Sequence, residues 1–294
     1  MAYGLTSDSV AQIALPAENR RVTVIRSPSR SRMSVMRSLV ELFHYRDLLY
    51  TLTAHRIKVR YKQSILGISW AIIQPVSMML IFTAVFSLIA RMPSDGAPYA
   101  IFAYVALIPW NAFSTSVANA TGGLVGHSQL VNKVYFPREI LPITYVLAAL
   151  VDFLIASIVL AGLMVYYHVP LTLTAIYVIP IIAVLTLFSL SIALLFSATQ
   201  VRFRDIGMAM PLVLQLWMFA TPIVYPLSAV PTRLRSAYLL NPLVGVIENF
   251  RQVVLYANAP DFGLLGRSAI VSAILLIVSY SYFKRVETTM ADFI

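Results

Sequence analysis

The chain has 294 residues, of which 59% are hydrophobic and 12% charged, and carries a formal net charge of +10. A soluble domain holds about 25% charged residues, so this composition excludes one and describes an all-α integral membrane protein of several spans. Cysteine is absent, which excludes a disulfide framework, thiol catalysis and Cys-ligated metal.

Residues 1–34 are polar, rich in arginine and without an apolar core, so they read as a cytoplasmic tail and not as a secretory signal. Residues 35–60 follow as an amphipathic interface helix. Met36, Leu39, Val40, Phe43 and Tyr50 recur at helical spacing on one side, and Arg37, Glu41, His44 and Thr51 fall on another. The segment is too charged to span and apolar enough to lie in the bilayer interface. Arg56, Lys58, Arg60 and Lys62 then sit at the headgroups, where each favours anionic lipid by about 1 kcal/mol.

The transmembrane domain covers residues 61–283. A crossing helix needs roughly 20 apolar residues, and uncharged stretches place a first span in 63–90 and a second from 96 to near 121. The stretch 140–201 contains one charge, Asp152, and is divided by the turn-prone YYHVP at 166–170. A fifth span runs from 206 to near 226 and a sixth covers 262–283, so the expected count is six. Residues 284–294 form the tail. Of the 22 Lys and Arg, 17 fall on the side of the termini and five on the other, which puts both termini in the cytoplasm. This asymmetry explains the net charge without a nucleic-acid partner.

The loops carry the features that spans alone do not explain. Loop 122–142 holds a short helix bounded by Gly126 and Pro137, apolar through Leu130, Val131, Val134 and Tyr135; it is either a protein contact or a helix lying on the bilayer. Loop 227–261 holds Arg233, Arg235 and Arg251 on the side that should be poor in them. Its semi-apolar runs, broken at Asn241-Pro242, are too short to span. They fit either two re-entrant helices shielded by protein or an ordinary surface hairpin. Asp152, deep in a span, is either a structural carboxyl bonded to a neighbouring helix or an ion-coupling group. Aromatic rings stack on the C–H faces of sugars and amides bond their hydroxyls, so Trp70, Gln74, Phe82, Phe86 and Trp217 suit a glycan conduit. For each ring the alternative is lipid contact or core packing.

No catalytic, cofactor or metal site is expected. No Gly-Lys pair exists for a phosphate-binding loop, so ATP and Mg would belong to a separate polypeptide. His44, His55, His127 and His168 are scattered, and neither HExxH nor a nucleophile elbow occurs. A membrane-embedded glycosyl- or acyltransferase is therefore a rival of another class, lacking a catalytic constellation.

RYKQSILGISWAIIQP at 60–75 with FTAVF at 82–86 resembles the first-span signature of the permease subunit of polysaccharide ABC exporters, the ABC-2 type that exports lipid-linked O-antigen. The likeness continues in NKVYFPREILP at 132–142, TPIVYP at 221–226, Asn241-Pro242 with Arg251, and the tail RVETTMADFI at 285–294. Two positions depart from the family pattern: Arg56 stands where many relatives have Asp, and Met290 where an aromatic is common. The resemblance implies an inner-membrane homodimer working with two copies of an ABC ATPase on a lipid-linked polysaccharide. It implies a coupling helix at Leu130, Val131, Asn132, Lys133, Val134, Tyr135, Phe136 and Pro137, and a hinge at Arg60, Tyr61, Lys62, Gln63 and Ser64. It also implies channel walls from spans one and five, hence Trp70, Gln74 and Trp217, and a re-entrant pair containing Asn241, Pro242 and Arg251. The nearest rival within transport is an ABC-2 exporter of lipid or drug.

Overall fold

The computed structural model describes residues 43–62 and 65–290, with the side chain of Asn132 excepted. Residues 1–34, the first part of the expected interface helix, Gln63, Ser64 and the last four residues of the tail lie outside the described residues. Among the described residues all regular structure is helical. The helices are α1 (Arg46–Lys62), α2 (Trp70–Phe82), α3 (Tyr99–Gly126), α4 (Ser128–Lys133), α5 (Ile140–Tyr166), α6 (Val178–Arg202), α7 (Asp205–Phe219), α8 (Thr232–Tyr238), α9 (Pro242–Val254) and α10 (Phe262–Glu287).

Among the described residues five stretches are long and apolar enough to cross a membrane: Gly67–Ile89, Tyr99–Gly126, Ile140–Tyr166, Leu173–Arg202 and Phe262–Glu287. The expected fifth span differs. Its helix, α7, has 15 residues, about 22 Å against a hydrocarbon core of about 30 Å. The chain leaves the helix at Ala220 and turns tightly, with the Ile223 amide bonded to Thr221 O at 2.7 Å. Pro222 lacks the amide that would extend the helix.

Helix α3 is the central post, packed against α2, α5, α6, α7 and α9, while α6 also packs along α10. It is the most buried of the five stretches and the least apolar. The two facts have one cause: a helix surrounded by protein can carry Tyr, Asn, Thr and Gly, whereas a helix facing lipid needs an apolar outer surface. Tyr104 on α3 is fully buried and donates to Ala156 O of α5 at 3.1 Å.

A second apolar cluster sits at the Lys/Arg-rich end of the bundle. Leu124, Val131, Phe136, Ile140, Leu141, Leu194, Val201, Phe283 and Met290 form it, and Tyr45 with Leu48, Leu49 and Leu52 of α1 packs against it. Thus α1 meets the bundle through that row. Phe43 and Tyr50, from the apolar side expected on sequence, are 70% and 77% exposed.

The first span is interrupted by design of its sequence. Between α1 and α2 the backbone enters the left-handed region at Gly67 (φ 51°), a conformation that favours glycine. Pro75 lies buried inside α2, and the helix widens into a π-helical stretch at Thr83–Ile89, where each turn holds an extra residue.

Candidate functional site

The first residues of the expected hinge meet Asp152 where α1 crosses α5. Arg60 and Tyr61, at the end of α1, both donate to the carboxylate of Asp152 in α5. A carboxylate within an apolar span is costly unless a cation and hydrogen bonds satisfy it, and here one residue supplies each. Burial first, and the bond to Asp152 second, push the Tyr61 phenol up to about 12, so it remains a donor throughout the physiological range. The sequence placed the hinge at residues 60–64; the left-handed turn lies at Gly67, in the same quoted signature.

A cavity of about 220 Å³ opens beside this lock. Arg60, Tyr61, Trp70, Gln74, Pro75, Asn111 and Asp152 contribute to its walls. A second cavity of about 300 Å³ shares Arg60, Tyr61 and Asp152 and extends towards Arg56 and Tyr145. Of the expected channel residues, the fold therefore brings Trp70 and Gln74 into the cavity wall that holds Arg60, Tyr61 and Asp152. Phe82 is buried in the core and meets Phe86 edge-on at 5.6 Å. Trp217 joins Phe113 at 5.1 Å and Phe188 at 5.8 Å in an aromatic cluster between α3, α6 and α7. These three rings line neither cavity.

The loop after α3 presents a small apolar edge. Helix α4 ends at Lys133, and Val134 is already extended (φ −125°, ψ 133°). The apolar face expected as one surface is divided. Val131 and Phe136 are buried, Leu130 is half-buried against the same cluster, and Pro137 is buried. Lys133 is exposed, and Val134 and Tyr135 are 52% and 78% exposed. Buried residues thus anchor the loop while Lys133, Val134 and Tyr135 face outward.

That loop is clamped to the end of α10, a feature the sequence reading missed. Lys284 bonds the buried Glu139 carboxylate at 2.8 Å and Glu287 at 2.9 Å. Tyr280 donates to Glu139 at 3.2 Å. The Arg138 amide donates to the Glu287 carboxylate at 3.2 Å, and its guanidinium to Glu287 O at 2.8 Å. Burial, then the charge of Glu287, push the Glu139 carboxyl up, and the Lys284 cation opposes both. The signal was present as acids flanked by bases at 138–139 and 284–287, but nothing in the spacing pairs residues more than 140 positions apart.

At the opposite end, three separate sequence motifs converge. Asn241 caps α9 by accepting from the Leu243 amide at 3.2 Å, and donates to Thr221 Oγ1 at 3.0 Å. Pro242 takes the first helical position, where its missing N–H costs nothing. Arg251 on the same helix donates to Pro222 O at 2.8 Å and Ile223 O at 2.6 Å. Its guanidinium lies 3.8 Å over the Phe102 ring of α3. TPIVYP, Asn241-Pro242 and Arg251 are therefore one unit that closes the end of α7.

Residues 47–255 match the family described as ABC-2 type transporter. The chain is 31% identical over 161 residues to the O-antigen export system permease protein RfbA of Klebsiella pneumoniae, covering 54% of this chain and 61% of that protein. It is 32% identical over 173 residues to the protein of the same name from Myxococcus xanthus, covering 58% and 65%. The matched stretches thus span less than two thirds of either relative. The Arg60–Tyr61–Asp152 contacts, both cavities and the α7–α9 unit all fall within the family match, and the chain belongs to the ABC-2 type transporter family.

Proposed function

We propose that this chain is the permease subunit of an ATP-driven exporter that moves a lipid-linked polysaccharide of O-antigen type from cytoplasm to periplasm. It lies in the bacterial inner membrane as a homodimer, with both termini cytoplasmic, and two copies of a separate ABC ATPase supply the energy. The likeness to two O-antigen export permeases carries this reading. The cavity that sets Trp70 beside Gln74 and Asn111 supports it, because a ring and two amides suit a sliding sugar chain. In this reading α7 and the turn after it make the crossing between α6 and α8, giving six spans, and α8 and α9 form the re-entrant pair. Protein shielding is what a re-entrant helix requires, and 11 of the 13 residues of α9 are buried.

Lys133, Val134 and Tyr135 dock into the ATPase, and the hinge at Arg60 and Tyr61 lets α1 move against the first span. Nucleotide-driven closure shifts the permease only if the ATPase contacts differ between its open and closed states. The test is purification of the tagged permease from native membranes with identification of bound subunits. A stoichiometric ATP-binding partner, and polysaccharide accumulation in the cytoplasm when the permease is deleted, are expected. A chain that purifies alone and forms a transferase product without ATP would replace this reading. Partner binding with export of a lipid or drug and no polysaccharide phenotype would move it to the rival exporter class.

A further inference from the structure

The larger cavity contains a cation that forms no ion pair with a carboxylate of the described residues. Arg56 of α1 donates from Nε to Thr144 Oγ1 at 2.6 Å, and its guanidinium stands 3.4 Å over the centroid of the Tyr145 ring. Tyr145 is seated in turn against Gly123 of α3, where a Cβ would collide with the ring. The guanidinium is thus held in place from α5, with α3 fixing the ring beneath it. Among the described residues Arg56 makes no ion pair. Asp152, the carboxylate in the same cavity wall, is already engaged by Arg60 and Tyr61. Burial lowers the Arg56 pKa, and the Tyr145 ring beside it opposes that.

A partly buried cation is unfavourable unless an opposite charge meets it, and here the counter-charge has room to arrive from outside. His55, Asn119 and His127 lie in the same wall. The His127 ring is oriented by a 2.9 Å bond from Nδ1 to Gly123 O, so in the neutral form Nδ1 carries the proton. A guanidinium fork matches phosphate oxygens in pairs, and at the headgroup level of a bilayer the abundant anions are phosphates.

We infer that this cavity binds a phosphate ester, with Arg56 as its fixed cation. The inference rests on the proposed placement of this end of the bundle at the cytoplasmic headgroups. Two sources offer the same chemistry: the headgroup of a bilayer phospholipid, and a phosphate at the lipid end of a lipid-linked substrate.

The test uses the full chain in a maltoside detergent, together with any subunit that co-purifies, and reads lipid retention by native mass spectrometry. The probes are a polyprenyl phosphate, a phosphatidylglycerol, inorganic phosphate, and diacylglycerol as the phosphate-free control. Wild type should retain a phosphate-bearing lipid at least about tenfold better than diacylglycerol, as one charge-assisted contact allows. Arg56→Gln should abolish that preference and Arg56→Lys should restore part of it. Preference for polyprenyl phosphate assigns the site to the substrate's lipid; preference for phosphatidylglycerol assigns it to the bilayer; equal competition by inorganic phosphate makes it a general phosphate site. Equal retention of diacylglycerol by the wild type overturns the inference and needs no variant. So does an undiminished preference in Arg56→Gln. Absence of an ATPase partner beside an intact phosphate preference would remove the proposed function and leave this site standing.

Discussion

A guanidinium buried as deeply as that of Arg251, 1% exposed, has to find acceptors or a ring face for its hydrogens. The nearest carboxylate, Glu248, is 3.9 Å away, while two carbonyls lie at 2.8 and 2.6 Å and the Phe102 ring at 3.8 Å. The carbonyls are therefore the main partners, and the substitutions separate the two roles. Arg251→Ala should cost about 3 kcal/mol or more, since it strands two buried acceptors, and Arg251→Lys should recover little because an ammonium cannot fork across both. Glu248→Gln should cost less than about 1 kcal/mol. Thermal denaturation in detergent would rank the three, and a larger loss in Glu248→Gln would reverse the assignment. Asp152 poses the same question with a different answer. Its position in an apolar run announced that it needed a partner. That Arg60 and Tyr61, 92 and 91 residues earlier, would be the partners was not legible, because helix crossing sets that contact and no local period records it. Asp152→Asn should loosen the end of α1 and speed amide exchange there about tenfold or more, equivalent to about 1.4 kcal/mol, with the α3 core unchanged. Unaltered exchange would show that α1 is held by its Leu48, Leu49 and Leu52 packing and by Arg56 on Thr144 and Tyr145, without the Asp152 bonds.

At the scale of elements, the sequence showed that apolar helices cross the membrane, placed some of their ends several residues off, and was least informative about which side faces what. Loop 122–142 illustrates this. Its apolar spacing was visible, but Val131 and Leu130 go inward while Val134 and Tyr135 go outward, since the chain turns extended at Val134. Val134→Asp combined with Tyr135→Asp should reduce ATPase recovery in a pull-down at least fivefold with an unchanged denaturation midpoint. Val131→Asp should instead destabilise the subunit by about 2–4 kcal/mol, the cost of an unpaired buried charge. If the first pair lowers the midpoint as much as the second, the loop edge is structural and the docking role fails. The clamp between this loop and α10 makes a related prediction. Lys284→Glu should separate ATP hydrolysis from polysaccharide export, because loop motion would no longer pull α10. Combining it with Glu139→Lys should restore at least half of the export, and a failure of that reversal to rescue would leave the Glu139–Lys284 pair as packing.

For the molecule as a whole, hydrophobicity marked the crossings but ranked them differently from burial. The least apolar span, α3, is the innermost, and more apolar ones stand outside it, so a sequence profile sees lipid exposure more clearly than it sees the core. Helix α7 is where that profile meets its limit. Its 15 residues fall short of a full crossing, yet Arg251 and Asn241 fasten the turn that follows it into the bundle. A buried, carbonyl-capped end inside protein is what a short crossing helix needs to avoid exposing backbone to lipid. The two topologies differ by an inversion. If α7 crosses, α8 lies outside and the end of α10 inside; if it does not, α8 lies inside and α10 ends outside. The chain contains no cysteine, so single cysteines report without a background. Ser236 in α8 and Gln129 in α4 are both exposed. Ser236→Cys should react with an impermeant maleimide added to intact spheroplasts, and Gln129→Cys only after the membrane is opened. Thr288→Cys, at the end of α10, should behave like Gln129→Cys. Labelling of Thr288→Cys in intact spheroplasts with protection of Ser236→Cys would mean five crossings, and would contradict the packing of Arg251 and of the turn after α7 on Phe102 and Tyr99, at the end of α3 remote from α4.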